Sequence, residues 1–109
     1  FSQGAAFVQE LAMYDPTLFR AVASGSSYYS ASLPELFRAA RVRFYCATAR
    51  NDQGIYEQGH RTGRILSLIC PDSRYGEYEK RGHFFIEPRD KTGRGGETFI
   101  DWLSKALRK

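Results

Sequence analysis

The sequence predicts an α+β fold, in which N-terminal helices and a C-terminal helix pack on one face of a small antiparallel sheet of three or four strands. Two observations favour this fold. Apolar residues recur at helical spacing near both ends of the chain, whereas residues 41–49 alternate between apolar and polar as in a half-buried strand. The chain has 109 residues, 42% of them hydrophobic, so we expect one domain over residues 1–109.

Three helices are predicted in the first 40 residues. Ser2 can cap the first, whose apolar side chains are Phe7, Val8, Leu11 and Tyr14. Asp15-Pro16 ends that helix and begins a second, which runs to about Ser24 and is lined by Leu18, Phe19 and Val22. The spacing of Ser32 and Glu35 predicts a capping box for a third helix, from Leu33 to about Ala40.

Three strands are predicted next, and the chain then ends in a helix. The first strand, 41–49, turns Val42, Phe44, Cys46 and Thr48 to the core and Arg41, Arg43 and Tyr45 outward. The polar segment 50–63, punctuated by glycines, predicts a loop. Residues 64–70 are apolar on both faces and predict a central strand, and 83–87 predict a third. The last helix, 97–109, carries the stripe Phe99, Ile100, Leu103 and Leu107, with Trp102 at its edge.

The basic charge of the chain is concentrated after residue 40. Residues 1–40 hold two basic and three acidic side chains, a net charge of −1, whereas residues 41–109 hold fourteen basic and nine acidic, a net charge of +5. Such asymmetry is typical of proteins that contact polyanions. We therefore expect nucleic acid, RNA in particular, or an acidic protein surface as partner, and no membrane.

Arginine and tyrosine on the outer face of the first strand are candidates for nucleic-acid contact. The guanidinium group pairs with phosphate, and an aromatic ring can stack on a base. The predicted nucleic-acid-binding residues are Arg41, Arg43, Tyr45, Arg61, Arg81, Arg89, Lys91 and Arg94. The alternative is an ordinary solvated strand face, which also places polar residues outward.

Glu57, His60 and His83 are candidates for acid–base chemistry. A base that removes the 2′-hydroxyl proton and an acid that protonates the leaving oxygen are what RNA cleavage without a metal requires. We expect neither a cofactor nor a metal site, since the cysteine and histidine spacing offers no cluster of four ligands. We identify no serine nucleophile elbow in the sequence.

The two cysteines, Cys46 and Cys70, predict buried free thiols in a reducing, cytoplasmic setting, with a bridge between neighbouring strands as the alternative. No apolar run approaches the length of a membrane span, and no signal peptide is recognisable. Because the first residue is Phe, we expect a fragment or a processed product.

Three family resemblances occur in short segments. The layout of residues 33–109, with RVRFYCA and GRILSLIC, resembles small RelE-type ribonuclease toxins and implies RNA cleavage. FSQGA and FYCATARNDQGIYE are similar to the stretch after the catalytic cysteine of caspase-like peptidases, which implies one part of a larger assembly. FFIEP followed by FIDWL is similar to the end of LysR-type effector domains. We assign the chain to none of these families.

The function predicted from the sequence is a basic nucleic-acid-binding domain, with metal-independent ribonuclease activity of the small toxin type considered beside it. The alternative is a protein-interaction or regulatory module. The sequence alone leaves open whether the protein is an enzyme.

Overall fold

The computed structural model describes residues 1–108. Helices and strands alternate along this part of the chain, with one short 3₁₀ turn at Pro16–Leu18. In chain order the elements are α1 (Gln3–Tyr14), β1 (Ala21–Gly25), α2 (Leu33–Arg38), β2 (Arg43–Ala49), α3 (Tyr56–Ile69), β3 (Arg74–Tyr78) and α4 (Phe99–Arg108).

The three strands form a parallel sheet in the order β1-β2-β3. Val22 of β1 pairs with Phe44 of β2, and Cys46 of β2 pairs with Tyr75 of β3. The prediction of helices together with a sheet is confirmed, but the predicted antiparallel arrangement is wrong. Each connection between neighbouring strands contains a helix, α2 or α3, and such a crossover returns the chain to run parallel.

Two of the three predicted strands are not strands. The apolar run 64–70 belongs mostly to α3, because an apolar run of this length fits a buried helix segment as well as a strand. Residues 83–87 form no regular element. β1 forms in the segment predicted as the end of the second helix. β3 forms in the charged segment 72–82, for which no helix or strand was predicted.

The sheet is covered on both faces, not on one. One core holds Met13 of α1, Leu36 of α2 and Leu66 of α3 against Phe44 and Cys46 of β2. The other core holds side chains of α4 and of the segment after β3 against alternate residues of β2: Tyr45, Ala47, Ala49, Phe84, Trp102 and Ala106. With both faces of β2 buried, its alternating pattern does not produce a solvent-facing side.

Several local predictions are confirmed. Ser32 and Glu35 form the capping box that begins α2. A helix also occurs at the C-terminal end, although its predicted last residue, Lys109, lies outside the described residues.

The predicted apolar stripe of the last helix does not face the core. The buried side chains of α4 are Trp102 and Ala106, while Ile100 and Leu107 are about half exposed, so the stripe is rotated toward solvent. Trp102 Nε1 donates to the carbonyl of Asp72 at 2.6 Å and fixes this orientation.

Both cysteines are free and buried, as predicted. Burial raises the pKa of the Cys46 thiol to about 11 and that of the Cys70 thiol to about 12. Among residues 1–108, no helix has both the length and the apolar character needed to cross a membrane.

Candidate active site

Ser2 occupies a sharp turn immediately before α1. Its backbone angles, φ 57° and ψ −122°, are strained for any residue other than glycine. Its N–H donates to the carbonyl of Gly25 at 2.9 Å, which ties the turn to the carboxyl end of β1. The Ser2 side chain makes no capping hydrogen bond to α1, contrary to its predicted role as an N-cap, and is partly exposed. The strained turn therefore presents the hydroxyl outward.

The hydroxyl of Ser2 contacts His83, which in turn contacts Asp52. His83 Nε2 lies 2.8 Å from Ser2 Oγ, and His83 Nδ1 lies 2.9 Å from Asp52 Oδ2. Asp52 follows β2 and is 6% exposed, whereas the His83 side chain is 37% exposed. With Nδ1 donating its proton to the carboxylate, Nε2 is left as the acceptor for the Ser2 hydroxyl. Serine, histidine and aspartate thus form one continuous hydrogen-bonded chain.

The loop that carries His83 is held by hydrogen bonds on both sides of the histidine. Before it, the N–H of Gly82 donates to Asn51 Oδ1 at 2.7 Å. After it, the hydroxyl of Ser26 accepts from the N–H of Phe84 and donates to the Phe84 carbonyl, both at 3.1 Å. Ser26 is fully buried and follows β1, and Asn51 follows β2. Ser26, which follows β1, and Asn51, which follows β2, therefore position His83, which follows β3.

The backbone amide of Gln3 completes the arrangement. It is the first helical residue of α1 and directly follows Ser2, so its N–H belongs to the helix end where intrahelical acceptors are missing. No acceptor for this N–H is found among residues 1–108. A free amide beside a serine hydroxyl can stabilise negative charge on an oxygen bonded to the carbon that the serine attacks.

Of these three residues, the sequence analysis had singled out His83, in a group with Glu57 and His60, but neither Ser2 nor Asp52. Ser2-Gln3-Gly4 carries the S-x-G part of the nucleophile-elbow pattern, which the prediction that no elbow occurs overlooked. A serine before a helix was interpreted as a cap. The signal that could have found the site is the order of serine, aspartate and histidine, with the last two placed shortly after the ends of strands.

His60 belongs to a different cluster, centred on Glu77. Glu77 Oε1 contacts His60 Nδ1 at 3.1 Å and accepts from the hydroxyls of Tyr75 at 2.9 Å and Tyr56 at 3.0 Å. Arg50 Nε lies 2.9 Å from Glu77 Oε2. Burial acts to raise the pKa of Glu77, but these tyrosine hydrogen bonds and the charge of Arg50 outweigh it and hold the pKa below its usual value.

The predicted group of Glu57, His60 and His83 is not brought together. Among residues 1–108, His60 and His83 share no hydrogen-bond partner, and Glu57 is exposed near the start of α3. Glu57 lines a cavity of about 440 Å³ with Arg50, Asp52 and Tyr56.

The three residues predicted on the outer face of the first strand do not share one exposed surface. Tyr45 is fully buried beneath α4, its ring 5.7 Å from that of Trp102, so the prediction that it is exposed is wrong. Arg41 and Arg43 do lie together. They line a cleft of about 580 Å³ at the amino end of the sheet with Arg20, Arg38, Phe19 and Phe37. Arg43 also pairs with Asp72 at 3.5 Å.

The other predicted basic residues are dispersed. Arg61 donates to the carbonyl of Ala31 at 2.8 Å, and Arg81 pairs with Asp90 at 2.7 Å. Arg89, Lys91 and Arg94 are exposed on the segment between β3 and α4.

Within residues 1–108, no group of three or more histidine, cysteine, aspartate or glutamate side chains is arranged to hold a metal ion. No protein-family model matches the chain, and no curated protein or solved structure is significantly similar to it. The site is therefore interpreted from its own geometry.

Proposed function

We propose that the protein is a serine hydrolase that cleaves carboxylic esters, with Ser2 as nucleophile, His83 as general base and acid, and Asp52 as the group that orients His83. The observation that carries the proposal is the hydrogen-bonded chain from Ser2 Oγ through both ring nitrogens of His83 to the buried Asp52 carboxylate. A nucleophile, its base and an orienting acid in this connection define the catalytic triad.

Two further features support this function. A nucleophilic serine on a strained turn that leads into a helix, followed along the chain by aspartate and then histidine, is the arrangement of α/β-hydrolases. The Gln3 amide has the position of an oxyanion-hole donor in that arrangement, since one donor is the N–H of the residue after the nucleophile.

The proposed reaction proceeds in two steps. Ser2 Oγ attacks the ester carbonyl carbon while His83 Nε2 takes its proton, and the Gln3 N–H stabilises the oxyanion. The alcohol leaves with that proton, and the acyl group stays bonded to Ser2. Water then attacks the acyl-serine, His83 accepts a proton from the water and returns it to Ser2 Oγ, and the carboxylic acid is released.

The test is hydrolysis of p-nitrophenyl acetate by the purified protein. The Ser2→Ala variant should lose activity by about 10³-fold or more, because the nucleophile is removed. Ser67→Ala is the matched control, since Ser67 lies on α3 and donates only to the Arg64 carbonyl. Equal activity of Ser2→Ala and the wild type would reject the proposal.

Nucleic-acid binding is the second candidate function, and it is favoured by the arginine cleft, formed by Arg20, Arg38, Arg41 and Arg43. Guanidinium groups can bind the phosphates of a single-stranded nucleic acid, and the neighbouring rings of Phe19 and Phe37 can stack on its bases. We propose this function from charge and shape, without RNA cleavage, and the two free thiols favour a cytoplasmic location for it.

Binding to labelled single-stranded RNA across a salt series tests this second candidate. Replacing Arg41 and Arg43 by alanine should lower affinity and reduce the salt slope by about two units. Arg64→Ala with Lys80→Ala removes the same charge elsewhere and should change little. No binding of RNA at low salt would reject nucleic-acid binding, and would favour an acidic protein surface as the partner of the arginine cleft.

A further inference from the structure

An aromatic pair lies directly beside the proposed triad. The rings of Phe1 and Phe85 stack with centroids 4.0 Å apart, and the Phe1 ring lies 4.8 Å from the His83 imidazole. Both are exposed to solvent, Phe1 by 39% and Phe85 by 66%. The two rings form an exposed apolar surface, which packing of the protein core does not account for.

The local backbone explains why Phe85 points away from the core. Phe84 is buried in the core beneath α4, with its backbone held by Ser26, and the next side chain along the segment projects to the opposite side. The Phe85 carbonyl accepts from Arg81 at 3.2 Å, and Arg81 also pairs with Asp90 at 2.7 Å. This bond holds the backbone at Phe85 in place while its ring stays exposed.

The position of the pair relative to His83 determines which part of a substrate meets it. In the proposed mechanism His83 Nε2 delivers its proton to the leaving alcohol, so the alcohol part of the ester lies on the histidine side of Ser2. Phe1 contacts His83 directly, and Phe85 extends the surface outward from Phe1. The leaving group therefore passes over this surface.

We propose that Phe1 and Phe85 form a binding platform for the alcohol part of the substrate, and that the protein selects esters of aromatic alcohols. This inference rests on the proposed hydrolase function. Two rings in offset or edge-to-face contact stabilise one another by more than the apolar area they bury, and an aliphatic chain lacks this additional stabilisation. The platform gives the triad a preference that the triad itself does not contain.

The test compares kcat/KM for benzyl acetate and butyl acetate, whose alcohols have similar acidity and whose acyl groups are identical. The wild type should prefer benzyl acetate. Phe85→Ala should lower kcat/KM for benzyl acetate by about two- to tenfold, the size expected for loss of a ring contact, and change butyl acetate much less. Phe85→Leu keeps the apolar bulk and should still lose the aromatic preference.

Phe7→Ala is the matched control, because Phe7 on α1 is 65% exposed and has no ring contact with His83. Hydrolysis of both esters with an unchanged ratio in the Phe85 variants would overturn the platform and leave the hydrolase function intact. If the wild type hydrolysed none of the three esters (p-nitrophenyl acetate, benzyl acetate and butyl acetate), both the platform and the hydrolase function would be overturned.

Discussion

Two hydrogen bonds of His83 carry the proposed chemistry at the scale of single residues. One reaches Ser2 Oγ and the other reaches Asp52 Oδ2. Because the Asp52 carboxylate is buried and accepts from Nδ1, it fixes the tautomer in which Nε2 can accept the serine proton. In the proposed mechanism, Asp52 therefore orients the imidazole and stabilises its charged form.

Replacing Asp52 by asparagine tests that role. The amide keeps the size of the side chain but can donate to Nδ1, which favours the wrong tautomer, so kcat should fall by about 10⁴-fold with the melting temperature little changed. Glu79→Gln makes the same chemical change at an exposed carboxylate and should leave kcat unaltered. A kcat for Asp52→Asn near that of the wild type would contradict the assignment.

The cysteines provide a separate prediction at this scale. Because the thiolate is the reactive form and burial raises the pKa of both thiols, Cys46 and Cys70 should react slowly with a thiol reagent at pH 8. Both should react fast in denaturant. Labelling can be monitored by absorbance or by mass spectrometry. Rapid labelling of both thiols in the native protein would contradict their burial.

Helix α3 shows at the scale of an element what local sequence reasoning could not predict. Gly59 and Gly63 were interpreted as punctuation of a loop, but they lie one turn apart on the buried face of α3. A Cβ on Gly59 would lie 2.8 Å from the Ser27 carbonyl oxygen, and one on Gly63 would lie 2.5 Å from the Tyr75 ring. These glycines allow the helix to approach β2 and β3, a reason that exists only once the sheet is formed.

Gly59→Ala should therefore destabilise the protein by about 1–3 kcal/mol through overpacking, in spite of the higher helix propensity of alanine. Gly4→Ala in α1 is the control. Its Cβ would meet nothing within 4 Å among the described residues, so stability should stay equal or rise by up to about 1 kcal/mol. Chemical unfolding measures both variants, and equal effects would refute the close approach of α3 to β2.

At the scale of the whole molecule, the parallel sheet assembles the site. The carboxyl ends of parallel strands meet at one edge, so Ser26, Asp52 and His83, which follow β1, β2 and β3, come together there with Ser2. The sequence could predict that α1, α2, β2 and α4 exist, from local periodicity and the capping box of α2. It could not predict the buried faces of α1 and α4, since Phe7 and Ile100 are exposed. It could not predict β1, β3 or the triad, because these depend on contacts between residues up to 81 positions apart.

Glu97 links distant parts of the molecule and predicts a dependence of stability on pH. It accepts from Arg74 of β3 at 2.8 Å and from Thr92 at 2.6 Å, and Lys105 of α4 lies 3.8 Å away. Burial acts to raise the pKa of Glu97, but the Arg74 and Thr92 hydrogen bonds outweigh it and hold the pKa below its ordinary value of 4.5.

A carboxyl whose pKa is lowered by folding stabilises the protein above its unfolded-state pKa, and that stabilisation is lost as the pH falls through the lower folded-state value. Glu97→Gln should thus be less stable than the wild type at pH 7, and the difference should shrink below about pH 4.5. Urea unfolding across a pH series measures it. A difference that is constant with pH would exclude the ionic role of Glu97.

Covalent labelling of Ser2 tests the central claim most directly. A fluorophosphonate reacts with a serine oxygen activated by a neighbouring base, and the serine Oγ displaces fluoride from phosphorus. Intact-mass measurement of the wild type should show one adduct, and peptide mapping should locate it on Ser2. The adduct should be absent from Ser2→Ala and His83→Ala and from the heat-denatured wild type. Labelling of other serines to the same extent, or an adduct that persists in His83→Ala, would contradict a Ser2–His83–Asp52 triad.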